Sequence, residues 1–357
     1  MSATHDPNIN IVITLDAAPA PQAGFSKVLH LVPLATNSLA GSRMVTYGNI
    51  SEVQSDQTSG FVDAETVAAA TVAFSQSPKP TEFAVGYIDL VGGETYAEAI
   101  QACMDYSDTF YGVTMRSRDA ADIVDASTAV EALSKLFFAQ NGNSDWLTPG
   151  VPAGLASIVS HERTAVHYHD ETTEYQDVAH AVKFLVFDPD VQSAPAHLPV
   201  GGVAAYTTAI TSGQRTNIID NNANAMLPYG GSSTYIDPGK ALTARSLYEM
   251  LTADWLEIRL QQDIAVMIVN HSNRGEKVTL DALGQAKVLN IIKARLQQGV
   301  QASHFVAGQT NVRALSITAS DYDAERLRFE GEAQLAVAGR KVDLNFAVGR
   351  NPVNVEA

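Results

Sequence analysis

Cysteine is almost absent: Cys103 is the single one among 357 residues. An intramolecular disulfide framework is therefore excluded, and the chain is compatible with a reducing compartment. A lone cysteine of this kind is expected in the core, acting as a small apolar residue. Charge is also scarce, at 17% of residues, and basic charge more so: 23 Lys and Arg stand against 39 Asp and Glu, a formal net charge of −16. With no Lys/Arg run to track a phosphate backbone, nucleic acid is not an expected partner. No apolar stretch reaches the roughly 20 residues that a membrane helix needs, so no membrane partner is expected either. The opening MSATHDPNINIVITLD has an acid and a proline before its short apolar run and no basic segment. The expectation is a soluble protein made in the cytoplasm without a secretory signal.

Catalytic motifs are missing as well. There is no G-x-S-x-G elbow and no Gly-Thr-Ser stretch of a subtilisin nucleophile. Ser232 and Ser233 lie in a Gly-rich loop with His161, His167 and His180 upstream, an inventory that leaves a triad open but disfavoured. His167, His169 and Asp170 are the best metal candidates, because residues two apart on a strand point the same way. They lack a third ligand with supporting spacing, and the favoured expectation is a solvent-facing or interface pair of histidines. Asn141, Asn143 and Asp145 alternate like oxygen ligands but lack the glycine and bidentate Glu of an EF-hand. Gly92-Gly93 and Gly201-Gly202 lack the Lys-Ser/Thr of a P-loop. The expectation is no enzyme activity, no metal and no cofactor.

What is present is a well-folded composition, 46% hydrophobic, on a chain long enough for two domains. A strand FSKVLHLVPL comes first, and Met44 to Val53 alternate weakly around Tyr47. Asp63 is placed to cap a helix DAETVAAATVAFSQ that ends before Pro78 and Pro80. Strand FAVGYIDL, helix YAEAIQACMDYS, strand YGVTMRS, a helical stretch from Asp119 through residue 140, strand TAVHYHD and helix DVAHAVKFLVF then alternate as in a layered α/β domain. The apolar run GGVAAYTTAIT follows. Residues 213–240, rich in Asn, Gly, Ser and Pro, read as long loops. A long helix is predicted from about Thr243, with Leu247, Leu251, Trp255 and Ile258 on one face. A second is predicted over 279–300, marked by Leu280, Leu283, Ile291 and Leu296. A hairpin with Leu327, Phe329, Ala333, Leu335 and Val337 alternating and a turn at Ala338-Gly339 closes the chain.

Both ends alternate with the period of a strand. Ile9, Ile11, Ile13 and Leu15 share one face near the N-terminus, and Val342, Leu344, Phe346 and Val348 do so near the C-terminus. Behind the first lies the Pro/Ala segment Ala17–Gly24, which spans roughly 25 Å when extended. Such strands are suited to complete another subunit's sheet. Burying four apolar side chains would contribute on the order of 6–12 kcal/mol gross per arm. The chain reads as an assembly protein.

Three stretches together carry a family resemblance. RMVTYGNISEVQSD with VAAATVAFSQSPKPTEFAVGYID, SLYEMLTADWLEIRLQQDI with its triplet Asp254, Trp255 and Leu256, and RLRFEGEAQLAVAGRKVDLNFAV are similar to segments of the contractile tail sheath proteins of bacteriophages. The resemblance implies an α/β chain (α+β overall). It places a layered middle domain of subtilisin-like topology at 81–240, facing outward. An inner domain of helices and a sheet would comprise 25–80 plus 241–340, completed by arms at 1–24 and 341–357. It implies a structural subunit that stacks as rings, sixfold in the family, around a tail tube and shortens on triggering. Its partners would be itself, the tube protein, and baseplate and tail terminator proteins, in the virion tail. The resemblance also suggests that Lys287, Lys293 and Arg295, a broad basic face on the second long helix, meet the tube. A tail tube or other shell subunit and, from another class, a serine hydrolase are the alternatives.

Overall fold

Strands that are apolar on both faces build the centre of the molecule. The computed structural model describes residues 24–34, 39–195, 198–204, 206–229 and 233–337. Strand β1 (Val28–Pro33) and the short β2 (Met44–Tyr47) are followed by helices α1 (Ile50–Thr58) and α2 (Ala64–Phe74). The chain then alternates through β3 (Phe83–Ile88), α3 (Tyr96–Tyr106), β4 (Gly112–Met115), α4 (Ala120–Glu131), β5 (Leu136–Asn141), β6 (Thr164–Tyr168) and α5 (Gln176–Leu185). These strands form one sheet in the order β2-β3-β1-β4-β5-β6, parallel except for the antiparallel edge strand β2.

Alternation within each strand assigns the two faces. Val28, Val32, Leu136 and Phe138 point toward α2 and α5, whereas Leu29, Leu31, Phe137 and Ala139 point toward α3 and α4. Every residue of β4, β5 and β6 is buried, as a parallel sheet covered by helices on both sides requires. Side-chain caps start the helices: Asp63 accepts from the Thr66 amide at α2, and Thr95 and Glu98 form a capping box at α3. These caps satisfy amides that have no partner inside the helix.

Beyond this body come β7 (Leu198–Pro199), α6 (Ser212–Asp220), β8 (Ala225–Tyr229) and β9 (Ser233–Asp237), with the three strands paired antiparallel in the order β7-β9-β8. The long helix α7 (Leu247–Asn273) and α8 (Ala282–Gln301) follow, then β10 (Phe305–Ala314), α9 (Ala319–Asp323) and β11 (Phe329–Leu335). The 27 residues of α7 run about 40 Å at 1.5 Å per residue. Leu247, Leu251 and Trp255 bury its first half in the same core as α2 and α5.

The layered α/β reading holds, with four local corrections. The stretch from Asp119 is helical only to Glu131; Leu136–Asn141 is a strand because it lies between β4 and β6 and is buried on both faces. Met44–Val53 changes state at Asn49, whose side chain accepts from the Glu52 amide and starts α1. Residues 213–240, expected as loops, carry most of α6 together with β8 and β9. The segment 25–80, grouped with 241–340 in the sequence reading, instead supplies β1 at the sheet's centre and β2 at its edge, since the VLHLV run is buried throughout.

Candidate functional site: the C-terminal strand pair and its helices

Strands β10 and β11 pair antiparallel, and among the described residues they pair with nothing else. One long edge of each strand is therefore unpaired among the described residues. A two-stranded ribbon is marginal alone and needs a helix or further strands. Helix α8 supplies part of that support through Gly299: a methyl at this position would come within 2.6 Å of the Phe305 ring and 3.2 Å of Trp255. Val312, Ala333 and Leu335 pack half-buried on the core, and Arg313 pairs with Glu330 across the exposed face at 2.6 Å. Register shifts between Phe305 and Thr310, where Gly308 has φ +76°, so β10 is bulged and β11 is regular. The predicted arm residues Ile9, Ile11, Ile13, Leu15, Val342, Leu344, Phe346 and Val348, and the turn Ala338-Gly339, lie outside the described residues.

The predicted basic face is divided by the structure. Lys293 is exposed and Lys287 half-buried. Arg295 is turned inward: its guanidinium pairs with Asp263 at 2.7 Å and Asp190 at 3.3 Å, leaving its side chain 12% exposed. Arg295 is thus removed from the predicted contact, because α7 and the loop after α5 present carboxylates to it. Leu283, expected on the apolar side of α8, is 63% exposed, while Val288 and Leu296 are buried. Val266 and Val269 on the second half of α7 are also exposed.

The triplet Asp254-Trp255-Leu256 anchors the helices to the sheet. Arg163, one residue before β6, grips Asp254 with two bonds of 2.6 and 2.8 Å, and the Tyr111 hydroxyl donates to the same carboxylate at 2.6 Å. All three residues are buried. Burial and the adjacent Asp254 charge drive the Tyr111 hydroxyl well above its usual pKa. Trp255 Nε1 donates to Asp190 at 2.9 Å. Although burial pushes the Asp190 carboxyl up, hydrogen bonds from Arg259 and Trp255 outweigh it and hold the group below its usual range. Sequence reasoning found the triplet but not its partners Arg163, Tyr111, Asp190 and Arg259, for which the sequence carries no local signal.

The candidate chemical groups are engaged in the fold. His167 in β6 and His169 just beyond it are fully buried rather than solvent-facing: the His180 ring packs on the first at 4.9 Å and the Tyr206 ring on the second at 4.9 Å. His167 Nδ1 donates to the Ala139 carbonyl at 3.0 Å, which leaves Nε2 to accept from His180 Nδ1 at 2.6 Å. Burial pushes the His167 imidazole down to about 4. His169 Nδ1 accepts from the Glu171 amide and Nε2 donates to the Ala204 carbonyl, while Asp170 accepts from Thr207 and Thr208. Asn141 and Asn143 direct their oxygens to the amides of Asn143 and Asp145. His161 bonds Ser127 at 2.7 Å, but this hydroxyl is buried and also bonded to Thr164. Cys103 is buried, and burial raises its thiol to about 11. Among the described residues, no group of three His, Cys, Asp or Glu side chains could hold a metal, and no helix is long and apolar enough to cross a membrane.

No family model and no curated protein matches the chain. Solved structures do. A chain of the contracted helical sheath of the anti-feeding prophage is 14% identical, with a TM-score of 0.65 covering 95% of this chain and 98% of that one. A chain of the contracted sheath complex of an extracellular contractile injection system, PVC, is 12% identical, with a TM-score of 0.61 covering 98% and 99%. The sheath tail protein Lin1278 from Listeria innocua is 10% identical, with a TM-score of 0.59 covering 90% and 93%. The chain has the fold of contractile sheath proteins. The likeness runs through the sheet, the helix pair and the strand pair together, since it covers nearly the whole of each chain.

Proposed function

We propose that this protein is the structural subunit of a contractile tail sheath, stacked around a tail tube and shortening to drive the tube into a target envelope. The observation that carries this reading is the likeness, along nearly the whole chain, to subunits of contracted sheaths. In this proposal the subunits assemble as sixfold rings in the virion tail, are made in the host cytoplasm, and associate with baseplate and terminator proteins. The outer part comprises 81–240 with β1 and β2, and the inner part 241–340. The unpaired edges of β10 and β11 accept the arms around Ile9–Leu15 and Val342–Val348 from neighbouring copies, giving a β-mesh that holds while rigid contacts exchange. Lys287 and Lys293 face the tube, where charge complementarity sets register without a strong grip. The work of contraction is stored at assembly in a metastable array and released as interfaces repack, so no enzymatic step is required.

Electron microscopy of the purified protein tests the reading. The expected result is hollow, helically striated tubes wide enough to admit an inner tube. A monodisperse monomer at all concentrations and salt conditions, or narrow tubes with a closed lumen, would reject it.

A further inference from the structure

The loop that follows α5 is gripped by the helix pair from several directions. Asp190 accepts from Trp255 Nε1 at 2.9 Å, from Arg259 Nε at 3.0 Å and Nη2 at 2.5 Å, and from Arg295 Nη1 at 3.3 Å. Its backbone carbonyl accepts from Gln298 Nε2 at 3.0 Å. Next to it, the Pro189 carbonyl accepts from His304 Nε2 at 2.7 Å, and the Ser193 amide donates to the Ala302 carbonyl at 2.7 Å. Loop 189–193 is thereby tied to α7, to α8 and to the turn leading into β10.

Geometry gives this clamp a particular consequence. Beyond the apolar packing of Leu247, Leu251 and Trp255, two polar fastenings along the axis of α7 hold its direction. The first fastening of α7 is Asp254, held by Arg163 and Tyr111 at the N-terminal ends of β6 and β4. The second is Arg259 with Trp255, held by Asp190. Positions 254 and 259 stand about 7.5 Å apart along the axis. Arg295 also ties α8 to Asp263 of α7, so the two helices move together, and β10 leaves from the end of α8.

We infer that Asp190 is a positioning residue: it pins the angle between the six-stranded sheet and the α7–α8 pair, and so the direction in which the β10–β11 strand pair is presented. This role of Asp190 is independent of the sheath reading and is testable on the isolated subunit whatever that subunit assembles into.

The test is a distance distribution between spin labels at Thr128→Cys on α4 and Ala294→Cys on α8, both exposed positions, with the buried Cys103 left in place. A single narrow distribution is expected with Asp190 intact. In Asp190→Ala the distribution should broaden while the far-ultraviolet spectrum is kept, and amides of 190–193 should exchange faster by roughly ten-fold or more. Asp190→Asn, which keeps an acceptor for Trp255 and Arg259 but removes the charge, should broaden it less; this milder variant carries the test if Asp190→Ala does not fold. An unchanged narrow distribution in a folded Asp190→Ala protein would overturn the inference. So would loss of all structure in both variants, since Asp190 would then hold the fold rather than an angle.

Discussion

Asp254 on α7 receives both arms of the Arg163 guanidinium, at 2.6 and 2.8 Å, in a buried pair that joins a helix to a strand end 91 residues away. The desolvation cost of such a pair offsets much of its attraction, so its presence is weak evidence of stability, whereas breaking it is costly. Replacing Asp254 by Ala leaves Arg163 buried without its counter-charge and Tyr111 without its acceptor. The expected loss is about 3–5 kcal/mol, read as a lowered urea midpoint with an unchanged slope. A loss below about 1 kcal/mol would place the pair among exposed surface bridges and contradict its burial.

Phe305 rests on α8 where Gly299 leaves room for its ring. Helix propensity alone favours alanine over glycine by about 1 kcal/mol, but overpacking costs about 1–3 kcal/mol. Because the ring is fully buried and the contact would be 2.6 Å, the steric cost should win. Gly299→Ala is expected to destabilise by about 1–2 kcal/mol. Gly213 in α6, with nothing within 4 Å of an added methyl, is the control, and Gly213→Ala should be neutral or mildly stabilising. Equal gains at both sites would show that Phe305 moves freely.

These two contacts mark the limit of what the sequence makes legible. Leu247, Leu251 and Trp255 announce α7 because helical spacing is local, and Asp63 announces α2 because a cap acts within one turn. Leu136–Asn141 reads as a continuation of the helix because a short run buried on both faces has no amphipathic period to distinguish strand from helix. The mostly polar strand β10 went unpredicted, since its central residues face solvent and only Phe305 is deeply buried. Arg295 looked like surface charge because its carboxylate partners lie 32 and 105 residues distant, beyond any periodicity. Likewise Tyr111 meets Asp254 across 143 residues. The assembly reading came from alternating chain ends, and those residues lie outside the described part of the structure.

His167 sets a pH dependence. Its folded pKa, lowered by burial to about 4, lies below the ordinary value near 6.5. The native state therefore binds fewer protons than the unfolded chain between these values, and stability falls as pH drops from about 6.5 toward 4. At pH 5 the penalty from this group is about 2 kcal/mol relative to pH 7.5. His30, also pushed well down by burial, acts in the same direction. Urea midpoints between pH 5 and 7.5 check this; a midpoint that rises on acidification across that window contradicts it.

Removal of residues 1–18, which takes out Ile9, Ile11, Ile13 and Leu15, tests the proposed arm exchange. The truncated subunit should stay soluble and folded, because it keeps every strand and helix from β1 onward, yet fail to polymerise. Normal tubes from the truncated chain, or its outright unfolding, would remove the N-terminal arm as an exchanged strand.

Lys287 and Lys293 remain as the proposed tube contact once Arg295 is assigned to the interior. At 100° per residue they stand about 120° apart around α8, a broad basic face on a strongly acidic chain. Exchanging both for Glu should leave self-assembly intact, since no ion pair within the subunit holds either lysine among the described residues. Co-assembly with a tube should weaken, most at low ionic strength, where the Debye length is longest. A loss that grows with added salt would point to a packing defect instead. Tube decoration by the double variant equal to wild type at 10 mM salt, where screening extends to about 30 Å, would exclude this face of α8 as the contact.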